Sequence, residues 1–468
     1  MRPSAARVAV AAVASFVALA ACSSSSKSST TTSTRAPDTT GSTTSPTSAS
    51  GSSASPSWAT YHGDAARTGR ATSGPGPAVR RVWSSPTLDG GVYAEPLVAG
   101  GMVIAATERD SVYALAADTG AVRWRAQLGR PVSGSSLPCG NIDPSGITST
   151  PVIDTARGIV FVVAFLQPAH HELVALDLAT GAVRFRTPID PSGADPKVEQ
   201  QRAALALDGD QVLVPFGGLF GDCGSYHGYL VSAGADGSGV HASYQVPAPQ
   251  AAAIWAPPGP VLASNGDIFV STGNATGQPG SPDLSDSVLR LSPQLQLVGS
   301  FTPSNRLALS RADLDLGSLA PALLDGNRIF QAGKEGVGYL LDGDHLSGSA
   351  ALHQEKICGG GGAYGGTAYA PPLLFVPCRS GLVALTTTPT GFSVAWRSPG
   401  FNAGPPVVGG ATVWTVDIDA GVLYAFDATS GAPQSHTSVG SVEHFATPTL
   451  VGNRILVATQ HGIDAYAG

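Results

Sequence analysis

The residues with chemistry to offer are few, and the cysteines come first. Five stand in 468 residues. Cys22 closes the tetrad Leu19-Ala20-Ala21-Cys22, behind Arg2, Arg7 and an apolar run from Val8 to Ala20. That order looks like a bacterial lipobox, in which small residues fit the signal peptidase and the thiol takes a lipid. The run is too short for a spanning helix, which needs about 20 residues. Cys139, Cys223, Cys358 and Cys378 remain. An even number in an exported chain reads as two disulfides, chosen from three pairings, and no Cys-x-x-Cys spacing supports a metal. Asp313 and Asp315 stand two apart, which on a strand puts both carboxylates on one face. A glycoside hydrolase would need such a pair turned towards its substrate. His170-His171 reads as the tip of a surface hairpin. Gly359–Gly366 lacks the Gly-Lys-Ser/Thr of a phosphate loop, and no Gly-x-Ser-x-Gly elbow supports a serine hydrolase.

These side chains need a scaffold, and composition says which kind. The chain has 58 Gly, 36 Pro and only 13% charged residues, against roughly 25% in an average protein. Exposed helix faces need Lys, Glu and Arg, so a helical bundle is disfavoured and many short strands joined by tight turns are favoured. A net charge of -7 excludes a nucleic-acid binder driven by bulk charge. From Ser23 to Ser57 the chain is mostly Ser, Thr, Ala, Gly and Pro. Such a stretch cannot bury enough apolar surface to offset ordering entropy, so it reads as a tether. The organisation expected is a signal peptide over 1–21, lipidated Cys22 and tether over 22–57, and a folded body over 58–468.

That body repeats. Ala114-Leu115-Ala116-Ala117-Asp118-Thr119-Gly120-Ala121-Val122-Arg123-Trp124 returns as Ala175-Leu176-Asp177-Leu178-Ala179-Thr180-Gly181-Ala182-Val183-Arg184-Phe185. Tyr424 to Gly431 and Leu382 to Leu385 are weaker copies. Upstream stands a Pro element such as Glu95-Pro96-Leu97-Val98, Thr150-Pro151-Val152-Ile153 or Thr447-Pro448-Thr449-Leu450. Each unit reads as four strands with an Asp-x-x-Thr/Ser-Gly turn before the last. Asp and Thr side chains bond the turn backbone there, and Gly takes the positive φ. A lone four-stranded sheet leaves its faces bare, so the units must stack. Eight units fit: 92–129, 147–190, 201–247, 253–303, 314–352, 361–399, 402–439 and 443–468. The last lacks its fourth strand, and Val79 to Ser85 reads as that strand at the other end of the chain. The fold expected is an all-β, eight-bladed β-propeller of four-stranded antiparallel blades, closed by an N-terminal strand; seven blades is the rival count. Cys358 and Cys378 bracket one glycine-rich loop and its strand, and Cys139 and Cys223 fall in loops of neighbouring sectors. The pairing expected is therefore Cys139–Cys223 and Cys358–Cys378.

The blade signature Ala-Leu-x-x-x-Thr-Gly-x-x-x-Trp/Phe, with the opening Trp58-Ala59-Thr60-Tyr61-His62-Gly63-Asp64, resembles the PQQ-binding-like propellers. That group holds quinoprotein alcohol dehydrogenases and outer-membrane assembly lipoproteins. The resemblance implies a site on the propeller axis, where the family's enzymes stack PQQ on a Trp beside a Ca²⁺ ion. On this chain it implies Trp255 as the stacking residue and Asn274 as a Ca²⁺ ligand. Asp313 or Asp315 would be the catalytic base, and Lys334 the cation on the quinone oxygens. The family's Glu ligand has no evident counterpart. The chain also lacks an adjacent Cys-Cys pair and the Cys-x-x-Cys-His of a fused haem. The function expected is a monomeric ligand- or protein-binding or scaffold module, lipid-anchored through Cys22 at the outer face of the cell membrane. Its partner would sit at a propeller mouth, and nucleic acid would not be one. The alternative is a Ca²⁺/PQQ-dependent dehydrogenase of alcohols or sugars.

Overall fold

A computed structural model describes residues 57–275 and 282–468. The signal peptide, Cys22 and nearly all of the tether lie outside the described residues. Those described form eight sheets, each with a four-stranded antiparallel blade at its heart. Blade 1 comprises Leu97–Ala99, Met102–Thr107, Ser111–Ala116 and Val122–Gln127. Blades 2 to 7 cover 152–188, 206–245, 261–301, 322–356, 368–397 and 407–438. Blade 8 takes Thr449–Val451, Arg454–Thr459 and Gly462–Ala467, and its outer strand is Arg80–Ser84. Arg80 pairs with Ala467 and Ser84 with Asp464, antiparallel. The N-terminal strand thus closes the ring, as the unpaired eighth repeat demands, and an open edge is removed.

Burial follows the layers. The third strand of blade 1, Ser111–Ala116, is buried at every residue because sheets cover both its faces. The outer strand Val122–Gln127 alternates exposed and half-buried positions, the period of a strand with one face in water. The repeated aromatic makes the joint between blades. Trp124 of blade 1 lies on the turn of blade 2 and donates from Nε1 to the Leu178 carbonyl at 3.0 Å. Trp83 does the same to Ala117 at 3.2 Å and Trp396 to Ala428 at 3.0 Å. The turn glycine is required twice over. Gly181 has φ +71°, and a Cβ there would stand 2.5 Å from the Trp124 ring. Asp177 accepts from the Ala179 and Thr180 amides at 3.1 and 2.9 Å, the turn bonding the repeat implies.

The opening segment does something the repeats do not announce: it fills the central channel. Trp58 exchanges both backbone bonds with Val98 of blade 1, and Ala59 accepts from Ile153 of blade 2. Ala65 accepts from Leu262, Thr68 from Tyr369 and Gly69 from Val408. Arg70–Ala71 then runs parallel to the inner strand of blade 7. The Arg67 guanidinium, buried, reaches the carbonyls of Leu205, Tyr61 and Pro260. Glu95, also buried, accepts from Trp58 Nε1 at 2.7 Å and the His62 amide at 2.8 Å. One short chain segment therefore bonds to blades on all sides of the axis.

Two local expectations change. Asp313 and Asp315 are not on a strand. Asp313 takes a left-handed φ of 53° in a loop, and Asp315 precedes the 3₁₀ turn Leu316–Ser318. Of the histidine pair, only His170 is at a surface. His171 points inward, stacks on Phe165 and bonds Asp190 at 2.7 Å, since alternate strand residues face opposite ways.

Candidate axial binding site

Loops that lead into and between the blade strands enclose a cavity of about 630 Å³. Two kinds of loop build it. Loops entering the inner strands bring Tyr93, Arg202, Trp255, Tyr364 and Phe445; turns between second and third strands bring Asn274, Lys334 and Arg379. All five residues carried over from the family resemblance line this one cavity: Trp255, Asn274, Asp313, Asp315 and Lys334.

Lys334 is the hub. Its Nζ stands 2.7 Å from Asp315 Oδ2 and 2.9 Å from Asp313 Oδ1. Asp315 Oδ1 accepts from the Asn274 backbone amide at 2.6 Å, and Asn274 Nδ2 donates to Asp313 Oδ1 at 3.0 Å. Burial works against the Lys334 ammonium, but Asp315 and Asp313 outweigh it and hold its pKa above the ordinary lysine value. Burial pushes Asp315 up, while Lys334 and the Asn274 amide pull against it. The side chain of Asp313 is 69% exposed and that of Lys334 only 16%, so Lys334 is not a solvated surface lysine. The glycine-rich loop explains its fixity: a Cβ at Gly362 would stand 2.2 Å from the Lys334 carbonyl, so only glycine lets the loop pack there. From below, Asp286 accepts from the Leu316 amide at 3.0 Å and pins the loop that carries Asp315. Burial raises Asp286 to about 7.

The walls are aromatic. Trp255 and Phe445 have ring centroids 6.2 Å apart, and Tyr364 stacks on Phe445 at 6.3 Å. Lys334 Nζ lies 5.9 Å from the Trp255 ring. Arg379 lies over Tyr364 at 5.9 Å, and Arg202 over Phe445 at 5.5 Å. The Arg202 head is tied to the Thr148 and His444 carbonyls at 3.0 and 3.1 Å. On one side the rim is stapled by Cys139–Cys223, which joins the loop of Asn141 and Ile142 to that of Phe220 and Asp222. Cys358–Cys378 joins the glycine-rich loop to its blade. Both pairs are those named from the sequence.

Sequence reasoning missed Tyr93, Phe445, Tyr364, Arg202 and Arg379. A signal for two of them exists: Tyr93-x-x-Pro96, Trp255-x-x-Pro258 and Phe445-x-x-Pro448 place an aromatic three residues before a Pro element. One step of the repeat thus aims its side chain at the axis from three blades.

Residues 74–290 match the family described as outer membrane protein assembly factor BamB. No curated protein is significantly similar in sequence. The quinohemoprotein alcohol dehydrogenase of Comamonas testosteroni superposes with a TM-score of 0.68 at 15% identity, over 88% of this chain and 80% of that one. A europium-containing methanol dehydrogenase gives 0.67 at 14%, over 88% and 98%. BamB from Moraxella catarrhalis gives 0.58 at 15%, over 83% and 97%. The chain shares the propeller fold of these proteins, and a fold does not by itself name a function. Its two disulfides fit an exported protein.

Proposed function

We propose that the chain is an exported propeller, lipid-anchored through Cys22 and monomeric, that works as a binding or scaffold module. Its ligand is a flat aromatic molecule with acceptor groups, held in the axial mouth. The observation that carries this reading is the pairing of aromatic walls with fixed cations. Trp255, Tyr364 and Phe445 supply aromatic wall, and Lys334 and Arg379 stand over the Trp255 and Tyr364 rings. Stacking suits a planar ring, and the cations suit carbonyl or carboxylate oxygens. A cavity of about 630 Å³ is of the size that encloses a cofactor-sized molecule.

The convergence of Trp255, Asn274, Asp313, Asp315 and Lys334 favours a second reading, the Ca²⁺/PQQ-dependent dehydrogenase. PQQ itself, fused rings bearing carboxylates, fits these walls; when bound it would supply the two-electron acceptor. Trp255 and Phe445 would hold its rings, Lys334 and Arg379 its oxygens. Calcium does not fit. The two carboxylates that would ligate it already hold the Lys334 ammonium between them and accept from the Asn274 N–H groups.

The test is a tryptophan-fluorescence titration of the full chain with PQQ and other flat aromatic carboxylates, with Ca²⁺ or with chelator. A dye-linked assay on alcohols and sugars runs beside it. Saturable quenching that Trp255→Ala removes, without dye reduction, is expected. Dye reduction with PQQ would make the protein a dehydrogenase. No binding by any of them to the folded chain would move the function to the outer surfaces.

A further inference from the structure

The acids that line the axial cavity are Asp222, Asp313 and Asp315, and each already has a donor from this chain. Asp222 accepts from the Tyr226 hydroxyl at 2.7 Å. Asp315 uses both oxygens, one on the Asn274 amide and one on Lys334. Asp313 Oδ1 accepts from Lys334 and from Asn274 Nδ2, so the Asn274 side chain presents its NH₂ group, not its oxygen, to the carboxylate. A Ca²⁺ ion asks for six to eight oxygens at roughly 2.3–2.6 Å, with carboxylates turned to one centre. Here the two carboxylates of the loop turn to one centre, and the ammonium stands in it. Among the described residues no group of three or more His, Cys, Asp or Glu could hold a metal ion.

Lys334 is also fixed from its own backbone. Its amide donates to the Asp315 carbonyl at 2.9 Å, and the glycine-rich loop packs on its carbonyl at Gly362. Those contacts fix the backbone from which the side chain springs, and the ammonium itself is held by Asp313 and Asp315. An ammonium has three donors. Two are spent on Asp313 and Asp315, and one is left for an acceptor in the cavity beside Trp255.

We infer that Lys334 is the resident cation of the axial mouth: its ammonium holds the place between Asp313 and Asp315 that a divalent metal would need, and the site takes its ligand without metal. The inference deepens the binding reading and rests on the axial mouth being the site. Its test needs no organic ligand, so the two readings fail separately.

The probe is terbium, a Ca²⁺ mimic whose emission is sensitised by a nearby indole. The full chain and Lys334→Met are titrated with Tb³⁺ under tryptophan excitation, each beside the same protein carrying Trp255→Phe. The difference isolates metal next to Trp255 from metal on surface carboxylates. The wild-type chain is expected to show no Trp255-dependent emission. Lys334→Met should gain a saturable signal that Ca²⁺ displaces, with affinity raised by more than about tenfold, because the two carboxylates lose their counter-charge. Trp255-dependent emission in the wild type, abolished by Asn274→Ala, would overturn the inference. So would a folded Lys334→Met that gains nothing, since the ammonium would then not be what keeps metal out. A second measurement needs no lysine variant. The thermal midpoint of the wild-type chain should be equal in Ca²⁺ and in chelator, and a rise with Ca²⁺ that Asn274→Ala removes would also overturn it.

Discussion

Glu95 offers a quantitative test of the plugged channel. Its carboxylate is buried, takes N–H donors from Trp58 and His62, and so ties the opening segment to blade 1. Burial raises it from 4.5 to about 8, against the pull of those donors and of Arg67. Between these two values the folded chain keeps a proton that the unfolded chain releases. The stability this group contributes is therefore full below pH 4.5, falls as pH rises, and levels off above about pH 8. The slope is about 1.4 kcal/mol per pH unit, a ceiling near 5 kcal/mol across the window. Glu95→Gln is uncharged throughout and removes that slope. Relative to the protonated acid it carries a pH-independent penalty of about 1–3 kcal/mol, because its NH₂ meets an N–H donor where a carboxyl oxygen accepted. The two stability curves should then cross near pH 6, the variant weaker on the acid side and stronger on the alkaline side. Urea unfolding of both proteins from pH 4.5 to 8.5 measures this. The other buried acids with raised pKa, Asp110, Glu199, Asp286 and Asp315, cancel in the difference. Parallel curves, or a variant weaker at every pH, would refute the reasoning.

Trp255→Ala should weaken a stacked ligand by roughly 10- to 100-fold in the fluorescence titration and lower the thermal midpoint only modestly, since the half-buried indole lines the cavity and packs on the small cluster of Val198, Tyr226 and Ala253 and not in a main blade core. Gly181→Ala should destabilise by about 2–4 kcal/mol in urea, because it adds left-handed strain to a clash with Trp124; Gly193→Ala, also at positive φ but with open space around it, should cost less. Replacing Cys139 and Cys223 together by Ser should cost about 2–4 kcal/mol and raise ligand off-rates, because the rim loops they join are then free to part.

The ring was legible because its signals repeat. The Asp-x-x-Thr-Gly turn at Asp177–Gly181 and the aromatic after it serve a joint that recurs, so each copy reinforces the reading of the others. The missing strand of blade 8 was legible for the same reason: a period counted to its end exposes an absence, and Arg80–Ser84 fills it. The site was legible only in part. Trp255, Asn274, Asp313, Asp315 and Lys334 came from family resemblance, and their convergence is a matter of which loops face one mouth, which no spacing within a blade encodes. The meaning of Lys334 was not readable at all. A lysine between Gly333 and Glu335 looks solvated until the loop from the next blade, with Gly362 against its carbonyl, and the Asp315 carboxylate show it held. The channel plug was hidden because it meets the blades largely through backbone carbonyls and amides, which leave no mark on residue type, and nothing in the spacing of Arg67 or Glu95 shows what they bond.

The closing strand sets an order on how the molecule can be made. Arg80 finds its partner at Ala467, almost the whole folded body later. As the chain is made from its N-terminus, Arg80–Ser84 emerges early and waits for the last strand to arrive. Seven blades can then stack on one another, but the ring cannot shut until the final residues are out. Closing so long a loop adds an entropic cost that grows only slowly with length, yet contacts this distant in sequence make for slow folding. During that wait the last blade exposes an unpaired edge, a template for another copy of the chain. Shortening the C-terminus by one strand would make the wait permanent, and the product should aggregate in proportion to its concentration.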